Sequence, residues 1–78
     1  MRNSSPLGEA VKRRREELRL SQEELSLLAG VGDVFIYHLE HGKKTVQMDK
    51  VVAVLHALGL QLRIENGNQG VVDGNRPS

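Results

Sequence analysis

The 78-residue chain contains no cysteine and no tryptophan, and it has one phenylalanine and one tyrosine. Without cysteine, neither a disulfide nor a thiolate metal site can stabilise the fold. A core with so few aromatic rings must be aliphatic. Because a short chain buries a small share of its surface, we expect one domain with a thin margin of stability.

Long apolar runs are also absent from the sequence. No segment approaches the length needed to span a bilayer, and the N-terminus MRNSSPLGEA lacks the apolar stretch of a secretory signal. We therefore expect a cytoplasmic protein that does not bind membranes.

The sequence gives little support for catalysis. The three histidines, His38, His41 and His56, have no cysteine or carboxylate at the spacing of a metal site or a nucleophile triad. His38 and His41 stand three residues apart, which leaves a metal site as a minor alternative. We expect neither enzymatic activity nor a cofactor.

Basic residues are missing from the centre of the chain. Residues 1–20 hold six basic and three acidic side chains, residues 21–42 hold none and four, and residues 43–66 hold four and two. The formal net charge of +1 hides this distribution. Any contact with nucleic acid must therefore take its phosphate attraction from the flanks.

Apolar residues at spacings of three and four predict an all-α fold with four helices. The predicted helices cover residues 7 to about 19, 22–29, 33–40 and 48–58. Their expected buried stripes comprise Leu7, Val11 and Leu18, then Leu25, Leu28 and Ala29, then Ile36 and Leu39, and finally Met48, Val51, Val52, Leu55 and Leu58.

Local signals mark the ends of these helices. Ser21 and Glu24 have the spacing of a capping box, which predicts the start of the second helix. Gly30 suits the left-handed conformation that ends that helix, the pair His41-Gly42 supplies the stop of the third, and Gly59 ends the fourth. The second and third helices are thus joined by a tight turn.

A short C-terminal segment alternates apolar and polar residues, as a half-buried strand does. It consists of Leu60, Gln61, Leu62, Arg63, Ile64 and Glu65. Because a lone strand is not stable and the chain offers no other, we expect it to pair with its copy in a second subunit about a two-fold axis. Residues 1–6 are expected to form a flexible arm, residues 7–65 the domain, and residues 66–78 a disordered tail.

Two short helices joined by a tight turn are how many proteins place side chains in the major groove of DNA. The start of the second predicted helix, at Ser21-Gln22, would then face a phosphate. On spacing alone, an ordinary helical hairpin is an equal alternative.

The stretch SQEELSLLAGVGDVFIYHLEHGK resembles the helix-turn-helix of the phage repressor and Cro family. Ten residues match its pattern: Ser21, Gln22, Leu25, Leu28, Ala29, Val31, Ile36, Leu39, Glu40 and Gly42. Downstream, GKKTVQMDKVVAVLHALGLQLRIE is similar to the HipB-type antitoxin branch, in which a C-terminal strand joins the dimer. The chain departs from the pattern at Gly32, where a serine or threonine usually caps the helix, and Asp33 is left as a possible cap.

The resemblance implies roles for particular residues. The positions facing the bases are Gly32, Asp33, Val34, Phe35, Tyr37 and His38. Those facing the DNA backbone are Gln22, Lys43, Lys44 and Thr45. Arg15 and Glu40 match a partly buried ion pair of the family. Lys12, Arg13 and Arg14 are expected to form mainly a solvated helix face.

The implied base-facing residues have chemistry that suits a major groove. His38 can bond a guanine, Val34 or Phe35 can meet a thymine methyl group, and Asp33 can accept from cytosine. Packing is the alternative for Phe35 and Tyr37, but Ile36 and Leu39 already claim the inward face, so we expect both rings to be exposed.

The resemblance implies a homodimeric transcriptional repressor that binds a palindromic operator of double-stranded DNA. The HipB-type segment further implies an antitoxin that represses its own operon and binds a HipA-like kinase toxin. A phage-type repressor, or a protein-interaction module that has lost DNA binding, are the alternatives.

Overall fold

The computed structural model describes residues 5–63, which contain four helices. These are α1 (Pro6–Glu17), α2 (Gln22–Ala29), α3 (Asp33–Glu40) and α4 (Met48–Ala57). The four predicted helices are therefore confirmed, with bounds that differ by one or two residues at some ends. None of the helices in this described part is long and apolar enough to cross a membrane.

α1 begins earlier than its apolar spacing predicts. Ser5 is the N-cap, and its hydroxyl oxygen accepts a hydrogen bond from the Gly8 N–H at 3.0 Å. Pro6 occupies the first turn, where its missing N–H costs nothing. Ser5 and Pro6 thus belong to the helix start and not to a flexible arm, while residues 1–4 lie outside the described residues.

The end of α1 depends on a residue in the left-handed conformation. Arg19 has φ 59°, and the next residue, Leu20, donates its N–H to the Arg15 carbonyl at 3.0 Å. This geometry satisfies carbonyl groups that the helix end would leave open. A side-chain-bearing residue adopts it at an energetic cost.

The predicted capping box of α2 is present. The Ser21 hydroxyl oxygen accepts from the Glu24 N–H at 2.9 Å, and the Glu24 carboxylate accepts from the Ser21 N–H at 2.8 Å. Gly30, with φ 72°, ends the helix as predicted. At α3, however, Gly32 is the N-cap without any side-chain bond, and Asp33 is the first helical residue and not a cap.

The core is aliphatic, as the composition predicts. Its buried members are Val11, Leu25, Ile36, Leu39, Val51, Val54, Leu55 and Leu58. Three residues of the predicted buried stripes are instead exposed: Leu28 at 62%, Met48 at 59% and Leu18 at 41%. α2 turns its Leu25 and Ser26 side towards α3 and α4, so Leu28 faces away from both.

α1 crosses the C-terminal end of α3 at very short range. A Cβ atom on Gly8 would clash with the backbone oxygen of Leu39 and lie 2.9 Å from that of Glu40. Arg14 ties the other end of α1 to α4, because its Nε donates to the Leu58 carbonyl at 2.9 Å. Arg14 is thus bound to α4, whereas Lys12 and Arg13 are exposed, as a mainly solvated helix face predicts.

Residues 60–63 form no strand in this single chain. Leu60 packs against the core, and Leu62 is 47% exposed. Ile64, Glu65 and the predicted tail, residues 66–78, lie outside the described residues. Because the predicted pairing needs a second subunit, it stays a prediction.

Candidate nucleic-acid interface

The connection between α2 and α3 is a tight three-residue turn. Gly30 and Val31 both donate their N–H groups to the Ser26 carbonyl, at 2.9 and 3.0 Å. The Val31 side chain then packs against the core. Since α2 also packs along α3, the turn holds α3 in one orientation and leaves its outer face uncovered.

The outer face of α3 carries most of the residues expected to face bases. Gly32, Asp33, Val34 and Tyr37 are exposed, with Val34 at 63% and Tyr37 at 48%. The exposure predicted for Tyr37 is therefore confirmed. His38 is half-buried at the edge of the same face.

Phe35 does not lie on this outer face, and the exposure predicted for it is wrong. The ring is half-buried and packs against the core. Phe35 precedes Leu39 by four residues, so the two side chains share one side of the helix. The ammonium group of Lys50, from α4, lies 5.8 Å from the ring centre and favours this position through a cation–π contact.

Arg15 and Glu40 form the ion pair that the resemblance implies. The Arg15 guanidinium donates to both carboxylate oxygens of Glu40, at 2.6 and 3.0 Å, and to the Leu20 carbonyl at 2.8 Å. The Glu40 side chain is 1% exposed and that of Arg15 is 11% exposed. The hydrogen bonds to Glu40 raise the pKa of Arg15 above its usual value, against the opposing effect of burial.

Gln22 is the third member of this network, which sequence reasoning missed. Its side-chain nitrogen donates to Glu40 at 3.0 Å. A carboxylate can accept more bonds than one guanidinium supplies, so an amide beside it has a place to bind. The network joins α1, the start of α2 and the end of α3 through one buried carboxylate.

The loop after α3 carries the positive charge that residues 21–42 lack. Lys43, Lys44 and Thr45 are all exposed, immediately after the end of α3. An open groove runs between this loop and the start of α1. Its lining residues are Ser5, Pro6, Leu7, His38, Leu39, His41, Gly42, Lys43, Lys44 and Val46.

Comparison with known families identifies this arrangement. A family model described as Helix-turn-helix matches residues 11–64, which is more than half of the chain. The chain belongs to the helix-turn-helix family. Its helix-turn-helix unit is the α2–turn–α3 pair.

A curated relative and two solved structures show the same domain. The chain is 42% identical over 64 residues to y4mF of Sinorhizobium fredii, an uncharacterised HTH-type transcriptional regulator, covering 82% of this chain and 84% of the relative. The restriction-modification controller protein C.AhdI from Aeromonas hydrophila matches with a TM-score of 0.65 and 25% identity, over 70% of this chain and 83% of that one. The clp gene regulator ClgR from C. glutamicum matches with a TM-score of 0.64 and 30% identity, over 72% of each chain.

The C-terminal end of the helix-turn-helix carries a cluster of three rings. Tyr37 stacks on His41, with ring centres 4.0 Å apart and an angle of 27° between planes, and it meets His38 edge-on at 5.7 Å. His41 also bonds through Nδ1 to the Tyr37 carbonyl oxygen at 2.8 Å. Within residues 5–63 the histidines join no group of three or more residues able to hold a metal ion.

Proposed function

We propose that this protein is a sequence-specific, DNA-binding transcriptional regulator that inserts α3 into the major groove. The exposed outer face of α3, held by a buried network on a capped helix pair, is the observation that carries the proposal. Family membership and the regulators among its relatives support it.

The proposed base-facing set is the one that the family resemblance implies, and most of its residues are exposed on α3. Asp33 accepts from the amino group of cytosine, Val34 contacts a thymine methyl group, and His38 bonds a guanine. Tyr37 reaches a phosphate or a base edge. Gly32 lets the DNA backbone approach the start of α3, while the half-buried Phe35 supports the helix more than it reads the DNA.

The DNA backbone is bound by the start of α2 and by the loop after α3. The first N–H groups of α2, at Gln22, point towards one phosphate because a helix start leaves its amides open. The Gln22 side chain keeps that helix start in place through Glu40. The next phosphates are bound by the loop residues Lys43, Lys44 and Thr45. The two lysines supply the positive charge that residues 21–42 lack.

Salt dependence tests DNA binding directly. The change is Lys43→Ala with Lys44→Ala, and the probe is a duplex selected by the full chain from a random-sequence pool. We expect the slope of log affinity against log salt to fall by about two, since each phosphate contact contributes about 0.9. The double variant Lys12→Ala with Arg13→Ala removes the same charge from the exposed face of α1 and should leave the slope unchanged. Equal slopes for the two variants would exclude the loop contact.

We further propose a homodimer in which residues 60–65 of two subunits pair as antiparallel strands. Leu60 already packs against the core and Leu62 is 47% exposed, which leaves one apolar side chain for a partner to cover. Within residues 5–63 there is no strand that could pair with this segment.

The most specific proposal is that the regulator is the antitoxin of a HipA-like kinase toxin and represses its own operon. It is supported by the resemblance of residues 42–65 to HipB-type antitoxins alone. The neighbouring gene provides the test: a kinase-like toxin whose product copurifies with this chain supports the proposal, and phage genes would favour a phage-type repressor instead.

A protein-interaction module of the same fold is the second candidate. Leu27 and Leu28 are adjacent on α2 and are 77% and 62% exposed, beside the exposed acidic residue Glu23. Such a module would bind no duplex from the random pool at any salt concentration. Selection of a defined sequence would exclude it as the main function.

A further inference from the structure

We propose that His41 is a positioning residue for sequence recognition: its ring fixes the Tyr37 ring on the outer face of α3, where Tyr37 contacts the methyl group of a thymine. The inference rests on the DNA-binding function proposed above. It assigns Tyr37 to a base edge and not to a phosphate. It also gives a role to His41, which lies outside the proposed base-facing and backbone-facing sets.

The outer face of α3 lacks the side chains that most often read bases. Between Gly32 and Glu40 there is no arginine, lysine, asparagine or glutamine, the residues that make two-bond contacts with guanine or adenine. The large apolar side chains exposed on this helix are Val34 at 63% and Tyr37 at 48%. Residues three apart on a helix are neighbours, so the two form one apolar patch. In a major groove, the apolar group that such a patch can meet is the methyl group of thymine.

The Tyr37 ring is held from two directions. The His41 ring stacks on it, with ring centres 4.0 Å apart and 27° between the planes, and His38 meets it edge-on at 5.7 Å. Aromatic rings attract each other in both arrangements. Both contacts form between neighbouring residues of one chain, so they do not need DNA. Because almost half of Tyr37 stays exposed, the held ring can still meet a base.

His41 is itself held by the backbone of Tyr37. Its Nδ1 lies 2.8 Å from the Tyr37 carbonyl oxygen, and the same oxygen accepts from the His41 backbone N–H at 3.1 Å. A carbonyl oxygen only accepts hydrogen bonds, so Nδ1 carries the proton and donates. The imidazole is thus anchored at the end of α3 and supports the phenol ring beside it.

A ring that is already in place loses little freedom when DNA binds. Ordering a mobile side chain at an interface weakens binding by roughly two- to tenfold. A fixed ring also keeps one distance to one base, so it distinguishes a base with a methyl group from one without. Loss of helix stability alone would weaken binding to all duplexes alike. The preference for the methyl group, and not the affinity itself, is therefore the quantity that reports positioning.

The experiment uses the duplex that the full chain selects from a random-sequence pool. Its thymines are replaced one at a time by deoxyuridine, which removes only the methyl group. For wild-type protein at least one replacement should raise Kd about fourfold, the effect of one buried methyl group. Tyr37→Ala should abolish the methyl effect at that thymine. Tyr37→Phe, which loses only the hydroxyl group, should retain it.

Two variants of His41 separate ring stacking from hydrogen bonding. His41→Phe keeps a ring to stack on Tyr37 and loses the Nδ1 donor, so it should retain the methyl effect. His41→Asn keeps an amide donor but has no ring, so it should lose most of the effect. His56→Asn makes the same replacement at an exposed histidine of α4 and should behave as wild type. Proton NMR of the free proteins should show close contacts between the rings of residues 37 and 41 in wild type and in His41→Phe.

Each outcome bears on the proposal. Retention of the methyl effect by His41→Asn overturns the role of His41, and so does its loss in His41→Phe. Loss of the effect in Tyr37→Phe would assign Tyr37 to a contact of its hydroxyl group instead. A selected duplex without any methyl effect that depends on Tyr37 overturns the inference and leaves the proposed function intact. Failure of the wild type to select any duplex would refute the function together with this inference.

Discussion

Glu40, at the end of α3, links that helix to α1 and to the start of α2. Its carboxylate is 1% exposed and binds Arg15 and Gln22 at once. We expect Glu40→Ala to lower the free energy of unfolding by about 3–5 kcal/mol, because removing one partner leaves a buried charge unpaired. Urea denaturation followed by circular dichroism measures the loss.

The matched control for this change is Glu17→Ala. Glu17 forms an exposed ion pair with Arg14 at 3.3 Å on the same helix as Arg15. Exposed pairs contribute at most about 1 kcal/mol, so this variant should unfold close to wild type. If the two alanine variants lose the same stability, the Arg15–Glu40 pair is not a buried support of the fold.

Gly8 is required by the close approach of α1 to α3. In an exposed helix, alanine would be favoured over glycine by about 1 kcal/mol. Here the added methyl group meets two backbone oxygens that cannot rotate away. We expect Gly8→Ala to destabilise the protein by about 1–3 kcal/mol, the usual range for overpacking, and thermal melting to report it.

Gly32→Ser tests whether the effect at Gly8 comes from the clash. A Cβ at Gly32 meets no atom within 4 Å, and serine would supply the side-chain cap that α3 lacks. This variant should be stabilised by a few tenths of a kcal/mol. A Gly8→Ala protein as stable as wild type would show that the two helices can separate without loss.

At the scale of elements, the helices were predictable because their ends carry local signals. The capping box of Ser21 and Glu24 and the left-handed glycines at positions 30, 42 and 59 act within a few residues of their own position. The start of α1 was misjudged by a residue because the apolar spacing begins at Leu7, whereas Ser5 and Pro6 start the helix by capping.

Which side of a helix is buried depends on its neighbours, and this was harder to predict. Phe35 and Leu28 are both apolar, but Phe35 packs against the core beside Leu39, whereas Leu28 points away from α3 and α4. The bond from Gln22 to Glu40 joins residues 18 positions apart, so no local pattern reports it. The proposed base-facing set came from the family resemblance and stays a prediction.

The end of α1 offers a stabilising substitution. Arg19 has φ 59°, a conformation that costs a residue with a side chain roughly 1–2 kcal/mol. Glycine relieves this strain and loses part of the gain through the freedom of the unfolded chain, so Arg19→Gly should stabilise the protein by up to about 1 kcal/mol. The thermal midpoint measures the gain.

Arg13→Gly is the control, because it makes the same replacement within α1 at an exposed position. It should destabilise the protein by about 1 kcal/mol, since glycine is a poor residue inside a helix. The two variants lose the same charge, and opposite signs would therefore identify backbone conformation as the cause. Equal losses would contradict the strain at Arg19.

At the scale of the whole molecule, the described domain has a small aliphatic core and a helix-turn-helix with a net negative charge. A single copy has one α3 and one pair of loop lysines to hold DNA. Two copies related by a two-fold axis would double both and would present two α3 helices to major grooves about 34 Å apart. The proposed pairing of residues 60–65 would then set the distance between the α3 helices of the two copies.

The proposed dimer would have a strong preference for palindromic DNA. A duplex with both half-sites should bind much more tightly than a duplex of equal length in which one half-site is scrambled. Leu62→Glu places a charge on the apolar face that the proposed pairing would cover, so it should remove this preference and yield monomers in sedimentation experiments. Gln61→Glu adds the same charge at a neighbouring exposed position on the opposite face of the predicted strand, and it should retain more of the preference. Equal affinity of wild-type protein for the full and half duplexes would refute the dimer and, with it, the role proposed for residues 60–65.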